Sequence, residues 1–193
     1  MLFMKIFSDK ELRDLVIAII ALAVIFSFPN FMDLFLLSLI IIFFSYVIHE
    51  MGHKFVAKRL GCVATFRIWP TGIFVGLMSM LFKLVGGGIV FVAPGFVEIM
   101  PYSFGRWGFK VVRLTPKDFG LIALAGVGIN VFFAVFFKMF PGGIFETLSD
   151  YNGLLALFNL IPVPPLDGSK IFLWKMWLWL FLVFITVLTI FIF

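Results

Sequence analysis

Long apolar runs, separated by short polar or glycine- and proline-containing breaks, dominate the chain. The long runs cover residues 11–28, 33–57, 119–140, 151–161 and 172–193. Breaks such as Pro29-Asn30 and Pro141-Gly142-Gly143 carry strong helix-stop signals. Apolar runs near 20 residues match the thickness of a bilayer. The pattern therefore predicts an all-α polytopic membrane protein with about five to six transmembrane helices.

One stretch departs from this pattern. A mainly apolar segment of ten residues, 73–82, is followed by Lys83 and three glycines at 86–88. A second short apolar segment, 89–97, ends before Glu98. Two half-length pieces cannot each cross a bilayer, and a single helix would place Lys83 in its middle. We therefore predict a short re-entrant or β-hairpin segment at residues 72–97, on the cytoplasmic side.

Composition and charge narrow the class of protein. Hydrophobic residues make up 63% of the chain and charged residues 13%, which excludes a water-soluble globule. The net charge of +5 comes from basic residues in short loops between apolar runs, so it indicates no nucleic-acid partner. By the positive-inside rule these loops are cytoplasmic, with Lys138 as the exception. We expect a multi-pass cell-membrane protein with a cytoplasmic N-terminus, whose residues 1–193 form one integral-membrane domain.

A polar motif interrupts the second apolar run. His49-Glu50-Met51-Gly52-His53 has the pattern H-E-x-x-H, and the two histidines of the motif are the two that the chain contains. On a helix the imidazoles share one face and can bind one metal ion, while the glutamate activates water. Hydrolysis by one Zn²⁺ per chain is the favoured interpretation, although iron or cobalt suits similar ligands. A pair of interfacial histidines bonded to backbone, or a structural metal site, is the alternative.

Catalytic zinc usually takes a third protein ligand and keeps one position for water. Arg59 occupies the place of the third histidine of a metzincin, so the ligand must be a carboxylate or Cys62. Most acids flank the apolar runs in ordinary solvent positions, namely Asp9, Glu11, Asp14, Asp118, Glu146 and Asp150. Asp167 instead ends an apolar, proline-rich stretch, 159–168, that cannot be regular helix, and Gly168 allows close backbone approach. Asp167 is favoured, while a helix-cap role for it, Glu98 and Cys62 remain alternatives.

Three motifs in order resemble one family. HEMGH with the following AKRLG (residues 57–61), and NLIPVPPLDG (159–168), resemble the two signature motifs of the site-2 protease family of intramembrane zinc metalloproteases. AGVGIN (125–130) resembles the glycine and asparagine motif of that family. The resemblance implies that His49, His53 and Asp167 bind zinc and that Glu50 is the general base. It makes Asn159 and Asn130 candidate substrate contacts, with interhelical hydrogen bonding as their alternative role.

The resemblance covers residues 48–170, and we expect a catalytic core at about 33–170 without a PDZ or CBS domain. It implies hydrolysis of peptide bonds within or near transmembrane helices of substrate proteins, which is regulated intramembrane proteolysis. The partners would be a transmembrane protein substrate and the lipid bilayer. A non-enzymatic metal-binding or metal-transport protein is one alternative. A membrane metalloprotease whose third ligand is Glu98 or Glu146 is another.

Overall fold

The computed structural model describes residues 7–85, 93–105 and 108–191, and most of them are helical. The helices are α1 (Asp9–Ser27), α2 (Phe31–Arg59), α3 (Pro70–Leu81), α4 (Pro116–Lys138), α5 (Gly143–Asn159), α6 (Asp167–Trp174) and α7 (Met176–Phe191). The strands are β1 (Val63–Ile68), β2 (Gly95–Met100), β3 (Tyr102–Gly105) and β4 (Gly108–Val111). Strand β1 pairs with β2, and β3 pairs with β4 in antiparallel orientation. The predicted all-α class is thus correct for most of the chain, with two small sheets added.

Two helices of the described part, α2 and α4, are long and apolar enough to cross a membrane. Helices α5 and α7 contain 17 and 16 residues, and α3 contains 12. Helix α1 is longer, but its first two turns are rich in charged side chains. Helix length and composition therefore do not support the predicted five to six transmembrane helices.

For residues 72–97 we predicted a re-entrant or β-hairpin segment, and the β-hairpin form is wrong for the first half, which is helical. A re-entrant segment remains a prediction. Pro70 begins α3, a position where its missing N–H costs nothing and its fixed φ suits a helix. A short 3₁₀ turn, Phe82–Val85, follows α3. Residues 86–92 lie outside the described part, and extended backbone begins at Gly95 as β2. The partner of β2 is β1, which the apolar pattern does not predict.

The chain divides into two compact units, Met1–Val47 with Phe66–Phe96 and Ile48–Thr65 with Val97–Phe193. In the first unit α1 packs on α3. Glu11 is buried there, and its carboxylate accepts hydrogen bonds from the backbone N–H groups of Ser8 (2.8 Å) and Phe66 (3.0 Å). Asp14 is also buried and pairs with Arg13 at 3.2 Å. The predicted solvent positions of Glu11 and Asp14 are therefore wrong, because Glu11 binds the backbone of Ser8 and Phe66 and Asp14 pairs with Arg13.

The second unit contains α4 to α7 and the C-terminal part of α2. The Ser149 hydroxyl of α5 donates to the Ala134 carbonyl of α4 at 2.8 Å, and the Trp179 indole of α7 donates to the Leu160 carbonyl at 2.7 Å. One apolar core is shared by helices α4, α5, α6 and α7, and it consists of Ala123, Val127, Val131, Ala156, Leu160, Ile171 and Leu182. A second core joins α2, β1, β2 and α4 and consists of Ala57, Cys62, Ala64, Val97 and Ile122. These two cores set the positions of α2, α4 and α6 around the polar motif.

Candidate metal centre

The two histidines of α2 converge as the helical spacing predicts. His49 and His53 are both buried, with 2% and 0% of their surface exposed. Their Nε2 atoms lie 2.9 Å apart, and the rings meet edge to face with centroids 4.6 Å apart. Both imidazoles therefore present the same ring nitrogen to one point on the inner face of α2.

Helix α4 defines the tautomer of His53. The Nδ1 atom of His53 lies 2.7 Å from the Ile122 carbonyl oxygen. A carbonyl only accepts, so Nδ1 donates to it, and Nε2 is the ring nitrogen that faces His49 and Asp167. Metal-binding histidines commonly donate their second ring N–H in this way, which fixes the ring and makes the ligand nitrogen more basic.

The third donor comes from Asp167, in the first turn of α6. Its Oδ2 atom lies 3.1 Å from His53 Nε2 and 3.5 Å from His49 Nε2. The irregular backbone after α5 delivers this carboxylate, as the prolines predict. A Cβ atom at Gly168 would overlap the carbonyl groups of Leu160 and Ile161, which confirms the predicted close backbone approach. Asp167 is the first residue of α6, whose N-cap residue is Leu166, and its carboxylate faces the imidazoles instead of capping the helix.

The donor set fits a zinc ion. The three donor atoms are 2.9, 3.1 and 3.5 Å apart. Tetrahedral zinc with bonds of about 2.0–2.1 Å has ligand atoms roughly 3.3 Å apart. Two imidazole nitrogens and one carboxylate oxygen that converge in a buried site are donor atoms of the types that zinc prefers. The residues present therefore fit a zinc ion.

Glu50 lies beside these ligands. Its carboxylate and the donor nitrogens of the two histidines lie within 4.8 Å of one another. The side chain is buried, and Oε2 has no hydrogen-bond partner among the described residues. A buried carboxylate oxygen without a partner beside a metal site is suited to accept a proton from water.

A glycine of α4 makes room for the histidine pair. A Cβ atom at Gly126 would overlap the His53 ring and lie 2.9 Å from Cε1 of His49. At Gly128, by contrast, a Cβ atom would meet Leu124 at an ordinary 3.8 Å. The absence of a side chain at Gly126 therefore lets α4 pack closely against the two imidazoles. Only the similarity of the AGVGIN motif to a known family indicated this position in the sequence.

The alternative ligands lie elsewhere. The Cys62 thiol donates to the Ala57 carbonyl at 3.3 Å, and burial raises the pKa of this thiol, so it stays protonated. Glu98 and Glu146 are exposed. Asp167, by contrast, contacts both imidazoles.

The two asparagines differ in environment. Asn130 is fully buried one turn beyond Gly126, and neither polar atom of its amide has a partner among the described residues. Asn159 is half-buried, and its amide donates to the Leu155 carbonyl of its own helix at 3.0 Å. A substrate-binding role for either residue remains a prediction.

The sequence analysis did not identify Lys170, a lysine that contacts the Asp167 carboxylate. The Lys170 ammonium group donates to Oδ1 of Asp167 at 3.0 Å and to the Val97 carbonyl at 3.4 Å. Its spacing of three residues from Asp167 on a helix would have placed both side chains on one face. The helix itself was not predicted to begin at residue 167.

Buried histidines of an H-E-x-x-H helix, a carboxylate in contact with both and an adjacent glutamate define the class of zinc-dependent hydrolases. No family model and no solved structure matches the chain. Over 183 residues the chain is 39% identical to "Putative zinc metalloprotease MJ0611" of Methanocaldococcus jannaschii, a match that covers 90% of this chain and 88% of that protein. Over 132 residues it is 28% identical to "Zinc metalloprotease MJ0392" of the same organism, covering 68% of this chain and 32% of that protein.

The chain therefore belongs to the zinc metalloprotease family of these archaeal relatives. Zinc is the metal that their names imply, and the donor set described above suits it. The alternative of a metal-transport protein is not favoured.

Proposed function

We propose that this metalloprotease is an intramembrane enzyme of the site-2 type, which hydrolyses peptide bonds within or near transmembrane helices of substrate proteins. The observation that carries the proposal is the place of the metal site. His49, Glu50 and His53 lie on α2, one of the two helices long and apolar enough to cross a membrane. Ionisable residues at such depth are costly and normally functional.

The ligand set in this proposal is His49, His53 and Asp167, which together would hold one Zn²⁺. When bound, zinc lowers the pKa of water and polarises a carbonyl group. The Glu50 carboxylate takes a proton from the attacking water and returns it to the leaving amine. The burial of all four side chains supports this scheme, because it keeps bulk water away from the proton transfer.

A membrane location is supported by the surface of the helices. Large apolar side chains are exposed on α2, α4 and α7, among them Phe44, Phe132, Phe136, Trp177, Phe181 and Phe184. Exposed apolar surface of this extent suits a lipid environment. In this proposal the protein is a multi-pass membrane protein with a cytoplasmic N-terminus, and residues 1–193 act as one catalytic domain.

The substrate in this proposal is a transmembrane protein. A peptide bond in a helix is covered by its own backbone hydrogen bonds, so it must be unwound before hydrolysis. The buried and unsatisfied amide of Asn130 supports a role for it as a hydrogen-bonding partner of unwound backbone. Asn159 is the second candidate for this contact.

Zinc content and cleavage, measured on the purified full chain, test the proposal. A single-span membrane protein and an unstructured soluble peptide serve as substrates for the wild type and for Glu50→Gln, His53→Ala and Asp167→Ala. Wild type should cut the membrane substrate. Glu50→Gln should retain zinc and lose at least about 100-fold in rate, because it cannot take up the proton. The other two variants should lose zinc.

The matched control is Glu146→Gln, the same change at an exposed residue, which should leave both quantities unchanged. Cleavage of the soluble peptide alone would contradict the intramembrane part of the proposal. Full zinc retention by Asp167→Ala would remove Asp167 from the ligand set.

A further inference from the structure

Lys170 places a cation behind the carboxylate that faces the histidines. Its ammonium group lies 3.0 Å from Oδ1 of Asp167, while Oδ2 is the oxygen in contact with His49 and His53. The Asp167 side chain is 6% exposed and that of Lys170 18% exposed. The two oxygens of one buried carboxylate thus have separate partners, one an ammonium group and the other the imidazole pair.

The same ammonium group is anchored on its other side. It donates to the Val97 carbonyl of β2 at 3.4 Å. An ammonium group has three donors, so it can serve both oxygens at once. Val97 is buried in the core that joins β2 to α2 and α4. Lys170 therefore links the Asp167 carboxylate of α6 to the backbone of β2.

We infer that Lys170 is a positioning residue that makes Asp167 bind zinc through Oδ2 alone. This inference rests on the ligand set of the proposed function. A carboxylate with both oxygens free can bind a metal through both of them. The second oxygen would then occupy the position that catalytic zinc keeps open for water. With Oδ1 held by Lys170, the position for water would stay open. Side chains that hydrogen-bond to metal ligands commonly orient those ligands in this way.

A purely electrostatic role for Lys170 predicts the opposite change in zinc affinity when the lysine is removed. Its positive charge repels a zinc ion at the donor atoms, so on Coulomb grounds its removal should strengthen zinc binding. Loss of an orienting partner weakens metal binding by about 10–100-fold. The direction of the change in Kd therefore separates the two roles.

The test uses the full chain in detergent, with the wild type, Lys170→Met and Lys170→Arg. The zinc Kd is measured by competition with a chelator, and the visible absorption spectrum of the Co²⁺-loaded protein reports the coordination number. Lys170→Met should bind zinc about 10–100-fold more weakly and show an altered cobalt spectrum. Lys170→Arg, which keeps charge and donors, should restore most of both. Lys175→Met, the same change at an exposed lysine five residues further on, is the control and should match the wild type.

Zinc binding by Lys170→Met as tight as or tighter than the wild type, with an unchanged cobalt spectrum, would overturn the inference. If Lys170→Met fails to fold, Lys170→Gln replaces it under the same criteria. The variant Asp167→Ala distinguishes failure of the positioning role of Lys170 from failure of the proposed function. If Asp167→Ala loses zinc while Lys170→Met is unaffected, the ligand set stands and only the positioning role is wrong. If Asp167→Ala binds zinc as the wild type does, the ligand set itself is wrong.

Discussion

At the residue scale, the donors of the candidate metal centre contact groups outside the H-E-x-x-H motif. His53 is oriented by the Ile122 carbonyl, and Asp167 contacts Lys170. Gly126 leaves the space that the two imidazoles occupy. The chemistry of the motif therefore requires side chains and backbone that the motif does not contain.

The Gly126→Ala change should remove zinc binding. The new Cβ would overlap the His53 ring, and the ring cannot shift without losing its bond to the Ile122 carbonyl. We expect a loss of zinc of at least about 10-fold in affinity, because displaced ligand geometry weakens metal binding. The zinc content of the purified variant after dialysis measures this loss.

Gly128→Ala is the matched control for that change. It is the same substitution in the same helix, and its Cβ meets only an ordinary contact at 3.8 Å. It should retain zinc. Equal zinc contents in the two variants would show that Gly126 does not limit the space at the histidines.

At the scale of elements, the irregular chain between α5 and α6 decides where the carboxylate lies. The end of α5 is held by the Trp179 indole on the Leu160 carbonyl. Gly168, in the first turn of α6, packs against that same carbonyl group. The placement of Asp167 is thus a property of the α5–α6 junction and of its contact with α7.

Gly168→Ala should disturb this junction. Alanine in a helix is normally favoured over glycine, but here its Cβ would overlap backbone, and overpacking costs about 1–3 kcal/mol. We expect a lower unfolding temperature together with weaker zinc binding, measured by thermal unfolding and chelator competition.

Gly143→Ala serves as its control, because a Cβ there meets nothing within 4 Å. It should leave both quantities near those of the wild type. If Gly168→Ala were as stable and as tight for zinc as Gly143→Ala, the close approach at α6 would not be needed to place Asp167.

At the scale of the whole molecule, all the proposed ligands belong to one compact unit, Ile48–Thr65 with Val97–Phe193. They come from α2 and α6, and α4 lines the site between them in the chain. A metal held by such distant segments binds the folded state and not the unfolded one. Zinc should therefore stabilise the fold as well as supply chemistry.

Removal of zinc should lower the unfolding temperature. Free zinc at 100 times its Kd adds about 2.7 kcal/mol of stability, which for a chain of this size is a shift of roughly 5–10 °C. Thermal unfolding with and without chelator measures this shift, and added zinc should restore it. His53→Ala, which lacks a ligand, should show no response to chelator. The same shift in that variant would mean that the chelator acts elsewhere.

Much of the secondary structure follows from patterns within a few residues. The apolar runs and the proline and glycine breaks predicted α1, α2 and α4 to within a few residues. The helical half of the 72–97 segment was missed because ten apolar residues suit a strand as well as a helix. The start of α5 was missed because Glu146 and Asp150 were interpreted as loop residues, although they lie within that helix.

Local spacing was sufficient to identify the chemistry. The i, i+4 histidines with an adjacent glutamate share a helix face whatever surrounds them, so the metal motif could be recognised from five residues. The pairing of Lys170 with Asp167 is local to α6, but the start of this helix was not predicted. The approach of Asp167 to the histidines and the space left by Gly126 depend on contacts between segments far apart in the chain. Such contacts arise only when α2, α4 and α6 pack together. The tertiary structure therefore decided which carboxylate lies at the histidines.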